Sequence, residues 1–214
     1  NGFSVTFKPY TGIAPTVTYT QNTDNAGTSG AWVIGTENTA DAVAVPTHNI
    51  VIDGSNTVGG TTRDLTFVSA SGANAYPFRI RGDCDYITIK NCTMTAGLST
   101  IGYGIWINPV FTTENFNPDN ISIENCSITA LVHATGVGIQ VAASGTTTEP
   151  MENLVVKNCD IFAHQRGVFL NGKTNITTIE GNTFEVPLSP TGYVGSAVIG
   201  NSIWSTGMTY ILGN

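Results

Sequence analysis

Six short segments of this chain can be aligned so that one column of the alignment alternates in charge. The segments read VTFK, IVID, ITIK, ISIE, LVVK and TTIE, and each ends in a charge opposite to the one before. The charged column, called the charge ladder below, consists of Lys8, Asp53, Lys90, Glu124, Lys157 and Glu180. Strands in a sheet lie roughly 4.8 Å apart, so stacked coils would place each charge beside opposite ones. The alternation therefore predicts a solenoid with a structural ladder on its surface.

A longer repeat surrounds three of these segments. It reads YITIKNC from Tyr86, NISIENC from Asn120 and NLVVKNC from Asn153. A second short strand follows each Cys, and a third follows a glycine in most repeats. Three strands per turn without a helical pattern predict an all-β fold, a single right-handed parallel β-helix of about six coils and three short parallel sheets. We expect one domain over residues 1–214.

The last segment predicts the start of another coil. Residues 210–214 repeat the pattern of residues 178–182. Natural proteins normally cover an open sheet edge. We therefore expect the chain to be a fragment or module of a longer solenoid. The alternative is end-to-end self-association of coils into a fibre.

Composition limits the partners and the location. Charged residues make up only 11% of the chain, and the net charge is −7. Because the lysines and arginines form no cluster, neither nucleic acid nor an anionic membrane is expected as a partner. No apolar run is long enough to predict membrane insertion. The abundance of Gly, Thr, Asn and Ser favours an extracellular or cell-surface location.

The repeats resemble the parallel β-helix repeats of the pectin-lyase-like superfamily over roughly residues 48–214. Residues 5–10, 50–55 and 63–66 are similar to modules of secreted or surface proteins of Bacteroidetes-type bacteria. The superfamily includes polysaccharide lyases, hydrolases, tailspikes and adhesins, so the resemblance implies a fold and leaves the activity open. The Gly-His-Gly and Arg-x-Lys motifs of its polygalacturonase-like hydrolases are absent from the sequence.

The resemblance implies that an enzyme would keep its acids on the ladder sheet or the neighbouring turn. Basic neighbours favour the ionised form of the ladder acids, which is unsuited to a general acid, so a structural role is predicted for them. The remaining catalytic candidates are Arg79, Arg81, Asp83 and Asp85. Asp83 and Asp85 are also calcium candidates, although aspartate is common in turns for other reasons, and no cofactor is expected. The three histidines, His48, His133 and His164, are scattered and are not predicted as bases.

Three cysteines fall at one turn position of successive coils. Cys92, Cys126 and Cys159 occupy it, and Asn182 follows in the next coil. Buried free thiols are the favoured interpretation. A disulfide between two of them is geometrically allowed, whereas a metal site would need ligands from a second direction. No role is predicted for Cys84.

The outward column of the third sheet is the best candidate for a binding surface. It contains Arg79, Trp106, Gln140 and Phe169. Aromatic faces stack on sugar rings and polar groups meet their hydroxyls. The long insertions at 108–119 and 142–152 leave this sheet and would form a wall beside it. The wall would contribute Phe111, Glu114, Phe116 and Glu149. Alternatively, the insertions bury the two aromatics of the column in a satellite core.

These observations favour an extracellular module that acts as a structural or adhesive scaffold and binds polysaccharide along one face. A polysaccharide lyase or hydrolase is the competing prediction, and a fibre-forming solenoid is the third.

Overall fold

The structure is a computed structural model. It describes residues 3–19, 32–35, 47–70, 72–97, 99–108, 110–111, 115–131, 136–141, 150–187, 195–200 and 209–214. Within these ranges the regular structure is entirely β, so no helix capable of crossing a bilayer is found there.

Three parallel sheets run the length of the molecule, with strands numbered in chain order. Sheet A contains β1 (Val5–Phe7), β4 (Thr47–Asp53), β8 (Cys84–Lys90), β13 (Asp119–Glu124), β16 (Met151–Lys157), β19 (Thr174–Glu180) and β22 (Thr209–Leu212). Sheet B contains β2 (Thr16–Tyr19), β5 (Leu65–Ser69), β9 (Cys92–Ala96), β14 (Ser127–Ala130), β17 (Asp160–Ala163) and β20 (Thr183–Glu185). Sheet C contains β3 (Trp32–Gly35), β7 (Phe78–Arg81), β10 (Ser99–Asn108), β15 (Gly136–Val141), β18 (Arg166–Leu170) and β21 (Ser196–Gly200).

Two further elements leave this pattern. Strand β6 (Gly72–Ala75) pairs with the first half of β10, and β11 (Val110–Phe111) forms a small antiparallel pair with β12 (Asn115–Phe116). Elsewhere the chain visits sheets A, B and C in turn, and each strand pairs in parallel with its counterpart one coil later. The prediction of a parallel β-helix is confirmed.

The interior is a stack of aliphatic side chains, because inward-facing and outward-facing residues alternate along the strands. In sheet A, Ile121 pairs with Ile87 on one side and Leu154 on the other, and all three are buried. Aromatic rings enter the interior near the first coils, where the ring centroids of Trp32 and the buried Phe67 lie 5.4 Å apart. The continuous apolar column is the main source of stability in such a stack.

Glycines recur within the strands of sheet C for a steric reason. A Cβ on Gly138 would lie 2.3 Å from Cγ2 of Ile161 and 2.6 Å from the carbonyl oxygen of Gly167. Gly104 and Gly167 meet the same two kinds of neighbour in their own coils. Sheets B and C therefore approach so closely here that a side chain would displace the backbone of the next coil.

Four of the described coils use left-handed backbone at the second or third residue of their sheet A strand and again just after the strand. Asn120 and Asn153 have φ values of 55° and 54° ahead of the paired apolar residues, and Asn125 and Asn158 have values of 48° and 54° after the strand. Asparagine tolerates this conformation better than most residues, which explains its recurrence in the repeat. The first left-handed residue sets the direction of the side chain that precedes it.

Candidate functional sites

The charge ladder lies in register on sheet A. Lys90 pairs with Asp53 and Glu124, and Lys157 pairs with Glu124 and Glu180. The lysine nitrogens of Lys8 and Lys90 lie 4.0 and 3.7 Å from Oδ2 of Asp53. Nζ of Lys157 lies 3.0 Å from Oε2 of Glu180.

Glu124 is the exception on the ladder. Its Oε1 accepts a hydrogen bond from the hydroxyl of Ser122, and the ion pairs between described side chains do not include one from Glu124 to either neighbouring lysine. The ladder is thus continuous in position, while its direct ion pairs lie toward the two ends.

A long-range contact crosses the turns between sheets A and B. Arg63 donates from Nε to the backbone oxygen of Asn125 (2.8 Å) and from Nη2 to its Oδ1 (3.1 Å). Its Nη1 donates to Oδ2 of Asp160. Asn125 in turn donates to Oδ1 of Asn91 (2.7 Å), and Asn91 donates to Oδ1 of Asp53 (2.7 Å). We call residues 54–64, with Arg63 next to their end, the turn strap.

The stacked cysteines are buried beneath these turns. Cys92, Cys126 and Cys159 are free thiols with no exposed surface, and the backbone nitrogen of Cys126 lies 3.5 Å from Sγ of Cys159. In the next coil Oδ1 of Asn182 accepts from the backbone nitrogen of Cys159 (2.9 Å), so an amide continues the column. Burial raises the pKa of Cys126, and a hydrogen bond to Cys126 together with burial raises that of Cys159. These thiols are therefore unreactive side chains that pack in the interior.

Cys84 is buried at the start of β8, close to the end of β7 in sheet C. Its Sγ lies 3.2 Å from the backbone oxygen of Arg81, and burial raises its pKa to about 12. A Cβ on Gly35 would lie 2.6 Å from this sulfur, so Cys84 fills the space over a glycine.

The outward column of sheet C is in register but largely covered. Trp106 pairs with Arg79 and Gln140, and Gln140 pairs with Phe169. Arg79, Gln140 and Phe169 are only 2%, 5% and 7% exposed, and Trp106 is half-buried. Three of the four side chains predicted to contact sugar are therefore not accessible, because an outward direction does not ensure exposure.

Trp106 belongs to an aromatic cluster that the repeat pattern did not reveal. The guanidinium of Arg79 lies 4.2 Å above its ring, and Arg79 also donates to Oδ1 of Asn108 (3.0 Å). Tyr76 and Tyr103 lie 4.7 and 5.9 Å from Trp106 between ring centroids. Burial raises the pKa of both tyrosines. These contacts fix the orientation of the indole.

The predicted wall beside this column is only partly described. Phe111 and Phe116 lie in the antiparallel pair of β11 and β12. Glu114, Glu149 and His133 lie outside the described residues.

The catalytic candidates divide between two sheets. Arg79 and Arg81 belong to β7 of sheet C, where Arg79 lies on Trp106. Asp85 belongs to β8 of sheet A, and Oδ2 of Asp85 lies 3.3 Å from Nδ1 of His48. Asp83 lies between the two strands and raises the pKa of Asp85 by its charge, after the larger effect of burial. The structure therefore brings the two acids together and leaves Arg79 in the aromatic cluster.

The acids continue as a column along sheet A. His48 and Asp119 both pair with Asp85, and Glu152 pairs with Asn175. Oδ1 of Asp119 accepts from the backbone nitrogen of Glu152 (2.6 Å), which places these residues in adjacent coils. The carboxylate of Glu152 accepts from Nδ2 of Asn175 (2.7 and 2.9 Å). We call His48, Asp85, Asp119, Glu152 and Asn175 the acidic column.

Asp119 is the most perturbed acid of this column. Burial raises its pKa to about 6, and the nearby carboxylates of Asp85, Glu152 and Asp83 add to the effect. A carboxyl group with such a pKa can donate a proton near neutral pH. Within the described ranges, no three His, Cys, Asp or Glu side chains converge in a way that could hold a metal ion.

The sequence contained a signal for this column. Each member stands two residues before the first inward residue of its strand, and an asparagine separates them in three of the five coils (His48-Asn-Ile, Asp119-Asn-Ile and Glu152-Asn-Leu). Aligning the repeat one step further toward its N-terminal side would have placed the acids together.

Comparisons with known proteins identify no relative: no protein-family model matches the chain, and no significant match to it is found among curated proteins or solved structures.

Proposed function

We propose that this chain is an extracellular or cell-surface module that serves as a structural or adhesive scaffold and binds polysaccharide along an outer face. The observation that carries the proposal is the unbroken register of three parallel sheets. Each coil is fixed to the next by backbone hydrogen bonds and an aliphatic interior. The charge ladder and the turn strap add contacts between coils. A stack of this kind holds its outer faces at fixed spacing, which is what a long polymer requires of a binding partner.

The aromatic cluster of sheet C supports polysaccharide as the partner. Trp106 is the half-buried member of its column, and Tyr76, Tyr103 and Arg79 hold its ring in place. A fixed aromatic face loses little conformational entropy when a sugar ring stacks on it. The resemblance of the repeats to those of the pectin-lyase-like superfamily points to the same class of ligand.

A screen of polysaccharides tests this proposal. The chain would be run through native gels containing neutral or acidic polymers, with and without calcium, and absorbance of unsaturated products would be recorded in parallel. We expect retardation without product, and we expect Trp106→Ala to weaken it. Tyr10→Ala is the matched control, because Tyr10 is 83% exposed and lies in none of the sites described. Absence of retardation in every polymer would contradict the binding part of the proposal.

The acidic column favours a second candidate, a polysaccharide lyase or hydrolase. Asp119, with its raised pKa, lies one coil from Asp85, which contacts His48. This arrangement supplies a proton donor beside a second carboxyl group. Product formation that is abolished by Asp119→Asn and kept in Asp64→Asn would establish the enzyme. Asp64 is a suitable control because its carboxylate is occupied within the turn strap by Asn56 and Thr62.

A further inference from the structure

A cavity of about 180 Å³ lies on the outer face of sheet B, on the last coils of that sheet. Cavities that hold drug-sized ligands measure ~300–1,000 Å³, so this one suits a single small ring. Its lining combines one aromatic ring, two carboxylates, two hydroxyls and one aliphatic side chain. The lining residues are Ser127, Asp160, Ile161, Phe162, Thr183 and Glu185.

We propose that this cavity binds one sugar unit of a neutral polysaccharide. The inference rests on the proposed function, since both treat the chain as a polysaccharide-binding module, but it places a subsite on sheet B rather than on sheet C. Phe162 supplies the apolar surface. It alternates with the buried Ile161 and Ala163 and is itself only half-buried, so its ring faces outward. The C–H face of a sugar ring stacks on such a surface.

The polar groups of the cavity stand around this ring at positions that the sheet fixes. Ser127 and Thr183 pair with Asp160 from either side, and Glu185 pairs with Phe162. Carboxylates accept hydrogen bonds from sugar hydroxyls, and the side-chain hydroxyls of Ser127 and Thr183 can donate or accept. Because all of these residues belong to adjacent strands, they need little rearrangement on binding.

Asp160 is held in place by the turn strap. Nη1 of Arg63 donates to its Oδ2, and Arg63 is itself fixed by two hydrogen bonds to Asn125. The guanidinium therefore orients the carboxylate and offsets its charge, while Oδ1 faces no hydrogen-bond donor among the described residues.

The charge of the cavity selects a neutral polymer. Arg63 offsets Asp160, whereas the ion pairs of the described residues include none to Glu185. The whole chain carries a net charge of −7. An acidic polymer would therefore meet repulsion both at the cavity and over long range.

The neighbouring coils extend the cavity into an uncharged track. The outward positions of β5, β9 and β14 in sheet B carry only hydroxyl and small apolar side chains. They are Thr66, Val68, Thr93, Thr95, Ser127 and Thr129. Further sugar units of the polymer can lie along this track while one unit occupies the cavity.

Affinity electrophoresis with defined polymers tests the inference. The probes are hydroxyethyl cellulose, galactomannan, xyloglucan and dextran as neutral polymers, and polygalacturonate and alginate as acidic ones. We expect retardation by at least one neutral polymer. Loss of the stacking contact in Phe162→Ala should weaken it about three- to tenfold. Phe162→Trp should keep the affinity, and Glu185→Gln should weaken it less than Phe162→Ala does.

The variants also separate this inference from the proposed function. Retardation that is weakened in a folded Phe162→Ala variant supports the cavity, whether or not Trp106→Ala weakens it as well. Retardation lost only in Trp106→Ala overturns the cavity and leaves the proposed function standing. Binding to acidic polymers alone overturns the neutral class, and no binding to any polymer overturns both proposals. An unchanged thermal midpoint checks that Phe162→Ala is folded, and Phe162→Trp with unchanged binding shows that an aromatic ring is what the site requires.

Discussion

The guanidinium of Arg63 donates a hydrogen bond to the carboxylate of Asp160, although Arg63 precedes β5 and Asp160 begins β17, three strands further along sheet B. Solenoid coils normally contact only their immediate neighbours, and their stabilities combine as nearest-neighbour terms. The turn strap adds a contact that spans several coils at once.

We expect Arg63→Ala to lower the free energy of unfolding by about 1–2 kcal/mol, because charged hydrogen bonds to Asn125 and Asp160 are lost from a partly exposed site. Urea unfolding followed by circular dichroism measures this. Arg63→Lys keeps the charge but cannot reproduce the forked geometry, so it should recover only part of the loss. A change below about 0.5 kcal/mol in Arg63→Ala would show that the strap does not couple the coils.

The C-terminal end of the charge ladder can be tested by reversal. Glu180→Lys should cost about 0.5–1 kcal/mol, because it places Lys157 beside a like charge at a 3.0 Å ion pair. The double variant with Lys157→Glu restores an opposite-charge pair with position 180 but places a carboxylate beside Glu124, so it should recover only part of that loss. The difference in unfolding free energy between wild type and Glu180→Lys should shrink in 1 M salt, where the Debye length is about 3 Å. Equal stability of the single and double variants would contradict a coupled pair.

Gly138→Ala should destabilise the protein by about 1–3 kcal/mol through overpacking against Ile161 and the backbone of Gly167. Thermal unfolding provides the measurement. Gly59→Ala is the matched control, because its Cβ would meet nothing within 4 Å although its φ is +69°. The control isolates the cost of left-handed backbone, about 1 kcal/mol, and a larger loss at Gly59 than at Gly138 would refute the steric explanation.

Stability should depend on pH through Asp119. Its pKa is raised in the folded state from 3.8 to about 6, so folding favours the protonated form. The stability that this group contributes is fully present below pH 3.8 and is lost as the pH rises through about 6. Asp119→Asn removes this dependence while keeping an oxygen acceptor for Glu152. Wild type should therefore lose stability relative to the variant between pH 4 and 7 in urea titrations, and parallel pH profiles would rule out the shift.

The thiols should react only when the chain unfolds. Because Cys84, Cys92, Cys126 and Cys159 are all buried and free, an aromatic disulfide reagent at pH 8 should label the native protein at the rate of its opening. In denaturant four thiols per chain should react at once. Rapid labelling of native protein would mean that the column is accessible.

The repeat predicted the architecture because both rest on the same periodicity. Alternating apolar residues fix which side chains face the interior, and the ladder fixes which strands are neighbours. Sheet A register, from Asp53 to Glu180, could therefore be predicted residue by residue. The three strands per coil follow from the same alignment.

The candidate sites were less predictable because they depend on contacts outside the repeat. Periodicity gives Arg79 and Phe169 an outward direction, but whether they are exposed depends on what lies over the sheet. The contact of Arg63 with Asp160 joins residues 97 positions apart and has no periodic signal. The acidic column could not be predicted from the periodicity alone. Its side chains precede residues with left-handed backbone, and those residues set the direction in which the preceding side chains point.

The charge ladder repeats every two coils, whereas the backbone repeats every coil, and this difference restricts how the gene could change length. Deleting the coil of Glu124 alone would place Lys90 directly beside Lys157, and inserting one copy of any ladder coil would place like charges together. Deleting or duplicating two neighbouring coils preserves the alternation. Recombination among the repeats would therefore keep opposite charges adjacent only when it adds or removes an even number of coils. Chains related by such events would differ from this one by an even number of coils.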